Sequence, residues 1–150
     1  MSLSILDNDA ALFIARAEAA RLISTGISTG ARAPAYCSAT GRVLLGGWDD
    51  RKIRDYLGRT ELVARTKNTL VKKPSLLDAV RAVRKQGFAI VDEELELGLR
   101  SIAVPVFNSR RTLVGAMSAS ASSARVSVAQ MKRTILSVLQ RHAEKLGKAL

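Results

Sequence analysis

The chain contains one cysteine, one histidine and three prolines, and aromatic residues make up only 4% of its 150 positions. Each scarcity excludes something. A single thiol, Cys37, rules out an intrachain disulfide and suits a reducing, cytoplasmic setting. Cys37 and His142 could form a nucleophile pair only in a supporting motif, and "PAYCSA" matches no nucleophile signature. No GxSxG, P-loop or HExxH pattern occurs, so the chain is read as a non-enzyme with no catalytic residue, metal ligand or cofactor. No apolar run approaches the ~20 residues of a membrane span. The opening "MSLSILDNDA" lacks the basic and apolar regions of a signal peptide. With so few aromatics the core must be aliphatic, and no stacking platform for bases is visible.

What remains is a chain that is 47% hydrophobic and 25% charged, enough to bury the core of one domain. Its 24 Lys and Arg against 13 Asp and Glu leave a net charge of +11, which makes a stand-alone basic nucleic-acid-binding domain the alternative reading. Yet these cations are spread from Arg16 to Lys148, in nothing denser than pairs such as Lys72-Lys73 and Arg110-Arg111. A general positive field that draws anions fits better. Against it, "IVDEELELGLRSIAVPVF" gathers Asp92, Glu93, Glu94 and Glu96. They have no calcium-loop spacing. Either they shape the mouth of a small-molecule site, or they form a solvated loop that balances nearby arginines.

Residues 1–11 are read as an N-terminal extension or expression remnant, and 12–150 as the domain. "ALFIARAE" reads as a strand, with "RLISTGIS" as its hairpin partner and "TGARAPAY" as a loop. "SATGRVLLGG" is a helix capped by Ser38 and stopped by Gly46-Gly47, and "DDRKIRDYL" a second one capped by Asp49 or Asp50. "SLLDAVRAVRKQG" is a third, with Ser75 as cap and Gly87 as stop. "FAIV" is a strand, and "LRSIAVPVF" and "TLVGAMSAS" form a hairpin over "NSRR". The last helix opens on a Ser127–Gln130 capping box and presents Val128, Met131, Ile135, Val138, His142 and Leu146 on one face. Consecutive strands with short turns predict an antiparallel sheet with helices against it, an α+β fold.

Strand alternation puts Leu99, Ser101 and Ala103 on one face of their strand, and Val114, Ala116, Ser118 and Ser120 likewise on one face of theirs. Neighbouring strands with such small side chains leave a hollow furnished with three hydroxyls. The helix opening at Ser38 adds the unspent N–H groups of Ala39, Thr40 and Gly41, a seat for a carboxylate. The same residues would equally serve close helix–sheet packing, and composition leaves both readings open.

"RAPAYCSATGRVLL", "VRKQGFAIVDEELELGLRSIAVPV" and "LVGAMSASASSAR" together resemble the effector-binding domain of the IclR family of bacterial transcriptional regulators, in the branch controlling aromatic-acid catabolism through the β-ketoadipate route. The likeness runs from about Leu12 to the final helix. It implies a GAF-like α+β domain that binds a small carboxylate effector and forms homodimers or homotetramers. DNA would be reached only through a separate winged helix-turn-helix domain, since no such pattern precedes Leu12. By motif, it implicates Ala39, Thr40, Asp92, Leu99, Ser101, Ser118 and Ser120, with Leu22, Thr25 and Ala33 as apolar lining. The hairpin "FNSRRTL" departs from the family in lacking the usual turn glycine.

Overall fold

A computed structural model describes residues 1–17 and 28–150. The segment expected to precede the domain is a strand inside its sheet. β1 (Ser2–Asp7) turns over Asn8 and Asp9 and pairs antiparallel with β2 (Ala10–Arg16). Asn8 takes the left-handed conformation, φ 53°, that a two-residue turn requires. β1's other edge pairs with β6. The expected boundary at residue 12 is therefore too late. The strand escapes a sequence reading because it is only six residues long and its place in the sheet depends on pairing with the distant β6.

β3 (Arg32–Pro34) replaces part of the expected loop and pairs with β2 at the sheet edge, where a proline needs no ladder donor. The proposed hairpin partner "RLISTGIS" falls almost wholly outside the described residues. After a 3-10 turn (Ala35–Cys37), α1 (Ala39–Leu45) starts at Ser38, whose hydroxyl accepts from the Gly41 N–H at 3.2 Å. α2 (Asp50–Arg59) is capped by Asp49 in the same manner. α3 (Lys73–Gln86) begins two residues before Ser75, which is not its cap. Pro74 sits in its first turn, where the missing N–H has no intrahelical use. Gly87, φ 81°, closes the helix in the left-handed region as expected.

β4 (Ala89–Asp92), β5 (Leu99–Phe107) and β6 (Leu113–Ser122) complete an antiparallel sheet of six strands in the order β3-β2-β1-β6-β5-β4. The β5–β6 turn manages without glycine. Arg111 adopts φ 59°, and the Asn108 side chain accepts from the N–H groups of Arg110 and Thr112 at 3.0 and 2.9 Å. The register slips between Val106 and Phe107, so Val114 is an extra residue and turns to the opposite face from Ala116, Ser118 and Ser120.

β5 divides the core. Ile102, Val104 and Val106 pack beneath the C-terminal helix, while Ala103 joins Ala39, Val43, Leu44 and Ala116 beneath α1. The helices thus cover both faces of an α+β sheet. The C-terminal helix starts as α4 (Val128–Gln130) with the expected capping box, passes through a π-helical turn (Met131–Ile135), and continues as α5 (Leu136–Lys148). A π turn holds an extra residue and rotates the remainder of the helix about its axis. Leu139, Ala143 and Gly147 are consequently buried, and His142, expected on the apolar face, is exposed.

Candidate functional site

α1 is held over the sheet by its own cap. The Ser38 hydroxyl donates to the Pro34 carbonyl at 2.8 Å while accepting from Gly41, and this fixes the first turn against the 3-10 segment. A Cβ on Gly41 would lie 2.3 Å from the Ala35 Cα, so the approach depends on glycine. Beneath this turn is a small hollow. Ala39, Thr40 and Ser38 line it from the helix, and Leu99, Ser101, Ser118 and Ser120 from β5 and β6. Phe13, Cys37, Val91 and Leu95 close the sides. Its volume is about 20 Å³, close to what a single water needs.

The polar atoms here are unevenly satisfied. Ser101 and Ser120, opposite each other across β5 and β6, share a hydrogen bond of 2.7 Å. Ser118 is buried. Thr40 is 2% exposed and its hydroxyl has no partner. Cys37 is fully buried, and burial pushes its thiol up to about 11, against a weaker opposing pull from Arg65 and Arg42. Such a thiol stays protonated at neutral pH and makes a poor nucleophile. Among the described residues no three potential metal ligands come together.

The acidic loop resolves into separate structural tasks. Glu94 is buried and accepts from Arg42 Nη2 at 2.6 Å and from the Leu70 N–H at 3.3 Å. Asp92 takes a two-point contact from Arg100, at 2.8 and 3.1 Å. Glu93, at φ 56°, accepts from the Ser123 hydroxyl and the Gly98 N–H, which hold its carboxyl below the usual range. Glu96 is exposed.

Ala39, Thr40, Leu99, Ser101, Ser118 and Ser120 are therefore brought together. Asp92 is engaged by Arg100 and does not line the hollow, and Ala33 is buried in β3 opposite Ala11, also away from the lining. Leu22 and Thr25 lie outside the described residues. Sequence reasoning missed Phe13, Cys37, Ser38, Val91 and Leu95 as lining. Val91 arrives through its register with Ser101, a pairing that local alternation does not specify.

Residues 1–148 match the family model described as bacterial transcriptional regulator IclR C-terminal. The Pca regulon regulatory protein of Pseudomonas putida is 43% identical over 139 residues, covering 92% of this chain and 48% of that protein. The C-terminal domain of the Escherichia coli transcriptional regulator KdgR is a structural neighbour at TM-score 0.82 and 32% identity, over 97% of this chain and 84% of that one. A double mutant of the PobR inducer-binding domain from Acinetobacter, in complex with 3-hydroxybenzoic acid, matches at TM-score 0.94 and 27% identity, over 99% of this chain and 87% of that one. The chain spans about half the length of the curated relatives it matches. No helix of the described residues is long and apolar enough to cross a membrane.

Proposed function

We propose a function from one premise: the chain belongs to the IclR C-terminal family of bacterial transcriptional regulators. It is the metabolite-sensing domain of such a regulator, takes a small carboxylic acid into the hollow beneath α1, and controls DNA binding by a separate domain. The observation that carries this reading is the Thr40 hydroxyl, buried without a partner above a floor of small, hydroxyl-bearing side chains. A buried hydroxyl with nothing to bind costs about 1–3 kcal/mol, and a ligand removes that cost.

Ser38 spends its hydroxyl on Gly41, so the first-turn N–H groups of Ala39 and Thr40 remain for the effector's carboxylate, together with the Thr40 hydroxyl. Ser101, Ser118 and Ser120 hydrogen-bond its other polar atoms, and Phe13, Val91, Leu95 and Leu99 pack on its carbon skeleton. Asp92 and Glu94 shape the surrounding loop through their arginines. The aromatic-acid complex of the PobR domain makes benzoate-like acids the first class to test.

At about 20 Å³ the hollow is far below the ~300 Å³ or more usual for small-molecule sites. The effector must therefore bind a wider arrangement in which α1 stands further from β5 and β6. That preference for one arrangement is the signal, passed on by population shift through a homodimer or homotetramer to the DNA-binding domain.

Thermal denaturation against a panel of aromatic and dicarboxylic acids tests the reading. An effector at ~100 times its dissociation constant adds about 2.7 kcal/mol to folding stability. Ser118→Leu fills the hollow and should abolish that gain while circular dichroism still reports a folded domain. A gain that survives the substitution places the site elsewhere, and a panel in which no acid stabilises the protein removes the carboxylate-sensing role.

A further inference from the structure

We infer that the cavity between the end of α5 and the free edge of β5 is a second ligand site, separate from the hollow beneath α1, which takes a small organic anion with a planar apolar body. Its volume is about 500 Å³, inside the ~300–1,000 Å³ range of small-molecule sites. The inference does not depend on the sensing role proposed above.

The cavity exists because β5 outlasts its neighbour. Pairing with β4 reaches only to Ala89 opposite Ala103, so residues 104–107 have no strand beside them on that edge. On the same edge the Leu99 carbonyl accepts from the Glu93 N–H at 2.9 Å, and alternate residues of an antiparallel strand turn their backbone groups the same way. Pro105 therefore stands on the open edge, with no N–H to offer an incoming strand. Helix α5 does not fill the space either. Ala143 and Gly147, one turn apart on its buried face, are both small. Together with Pro105 and Phe107 they leave an apolar floor, in which Phe107 is half-exposed.

The rim selects the ligand's charge. From residue 97 to residue 143 the sequence has no Asp or Glu. Glu144 is the acid of the lining, and its carboxylate lies 2.7 Å from the Lys148 ammonium. Arg111 is the cation left over, since it pairs with no carboxylate among the described residues. Its place is set by the β5–β6 turn. There Asn108 Oδ1 accepts from two backbone N–H groups, which leaves the side-chain amide N–H groups of Asn108 to donate. Gln140 adds a second amide. One surplus positive charge and several donors above an apolar floor suit an anion whose body rests on Phe107 and Pro105. A carboxylate and a phosphate monoester share that chemistry.

Three probes with one ring system provide the test: 1-naphthoate, 1-naphthyl phosphate and the neutral 1-naphthamide. Calorimetric titration of the wild-type chain should show at least one of the anions binding about tenfold more tightly than the amide, and the tighter anion identifies the head group. Arg111→Gly suits the left-handed turn and keeps the fold. It should reduce the preference to within about twofold. Gln140→Trp, at an exposed position on the rim, should weaken all three probes by blocking the cavity. Ser118→Leu, which fills the hollow beneath α1, should leave the preference unchanged. A preference that survives Arg111→Gly but is lost in Ser118→Leu puts the anion under α1, which overturns the second site and leaves the sensing role standing. A wild type that binds none of the probes also overturns it, and dissociation of that protein by Gln140→Trp in sedimentation would assign the cavity to a second copy of the chain.

Discussion

Arg42 and Glu94 form a buried ion pair whose partners are each about 5% exposed. The guanidinium also donates to the Tyr36 carbonyl through Nε and Nη2, at 3.2 and 3.0 Å. The Glu94 carbonyl, in turn, accepts from the Thr69 hydroxyl at 2.6 Å. One pair thus ties α1 to the acidic loop and to the segment before α3. Bringing two charges out of water is costly, and only the close contact and the extra hydrogen bonds offset it. Removing one partner strands the other. Glu94→Gln should therefore destabilise the domain by about 3–5 kcal/mol in urea unfolding. The double substitution Arg42→Met, Glu94→Leu should cost less than the sum of the two single changes, and strict additivity would show that the pair is not coupled. This pair contrasts with the hydroxyls of Ser4 and Thr40, which are buried without a partner. In the same layer of the molecule one set of polar groups is saturated and the other is left open.

Helix α5 meets β5 through Gly147, where a Cβ would lie 2.0 Å from the Phe107 carbonyl oxygen. Helix propensity alone predicts that Gly147→Ala stabilises by about 1 kcal/mol. The close approach reverses the sign. The substitution should destabilise by about 1–3 kcal/mol in chemical denaturation, and a stabilised variant would mean that the helix does not rest on that carbonyl. Gly147 reaches the contact only because the π turn at Met131–Ile135 rotates the helix, the same rotation that exposes His142. Features of this kind separate what was legible in the sequence from what was not. Caps at Ser38, Asp49 and Ser127 and the stop at Gly87 were readable because each is a bond between residues four or fewer apart. Period-two alternation was enough to place Leu99, Ser101, Ser118 and Ser120 on a common floor. β1 was not readable, because the strand is justified by pairing with β6 more than a hundred residues away. Phe13 and Val91 enter the site through register between distant strands, and the bulge that turns Val114 over leaves no mark in local composition.

Across the whole molecule, much of the acidic complement is internally spent. Asp7, Asp9, Asp50, Asp92, Glu94 and Glu144 are all paired with arginine or lysine, so the surplus of +11 acts as a field that concentrates anions around the domain. Concentration at the surface does not by itself seat a ligand, because the hollow, which reaches solvent at Ser120, has room for only about one water. The proposed binding mode requires the α1 layer to move away from the sheet, and Cys37, fully buried on the wall of that hollow, would report it. While the hollow is shut the thiol is inaccessible, and its pKa, raised by burial from 9.0 to about 11, keeps it protonated at neutral pH. The raised value contributes stability that is fully present below about 9 and is lost as the pH climbs towards 11. At pH 7.5, alkylation of the native chain should thus run on the order of a hundredfold slower than in urea, at a rate set by opening. On the proposed binding mode, an acid that stabilises the protein in thermal denaturation would sit over the thiol in the widened arrangement. It should slow alkylation further, with a half-maximal concentration equal to its dissociation constant. A native thiol that reacts as fast as the unfolded one would show that the layer does not close, and a stabilising acid without effect on the rate would show that it binds away from Cys37.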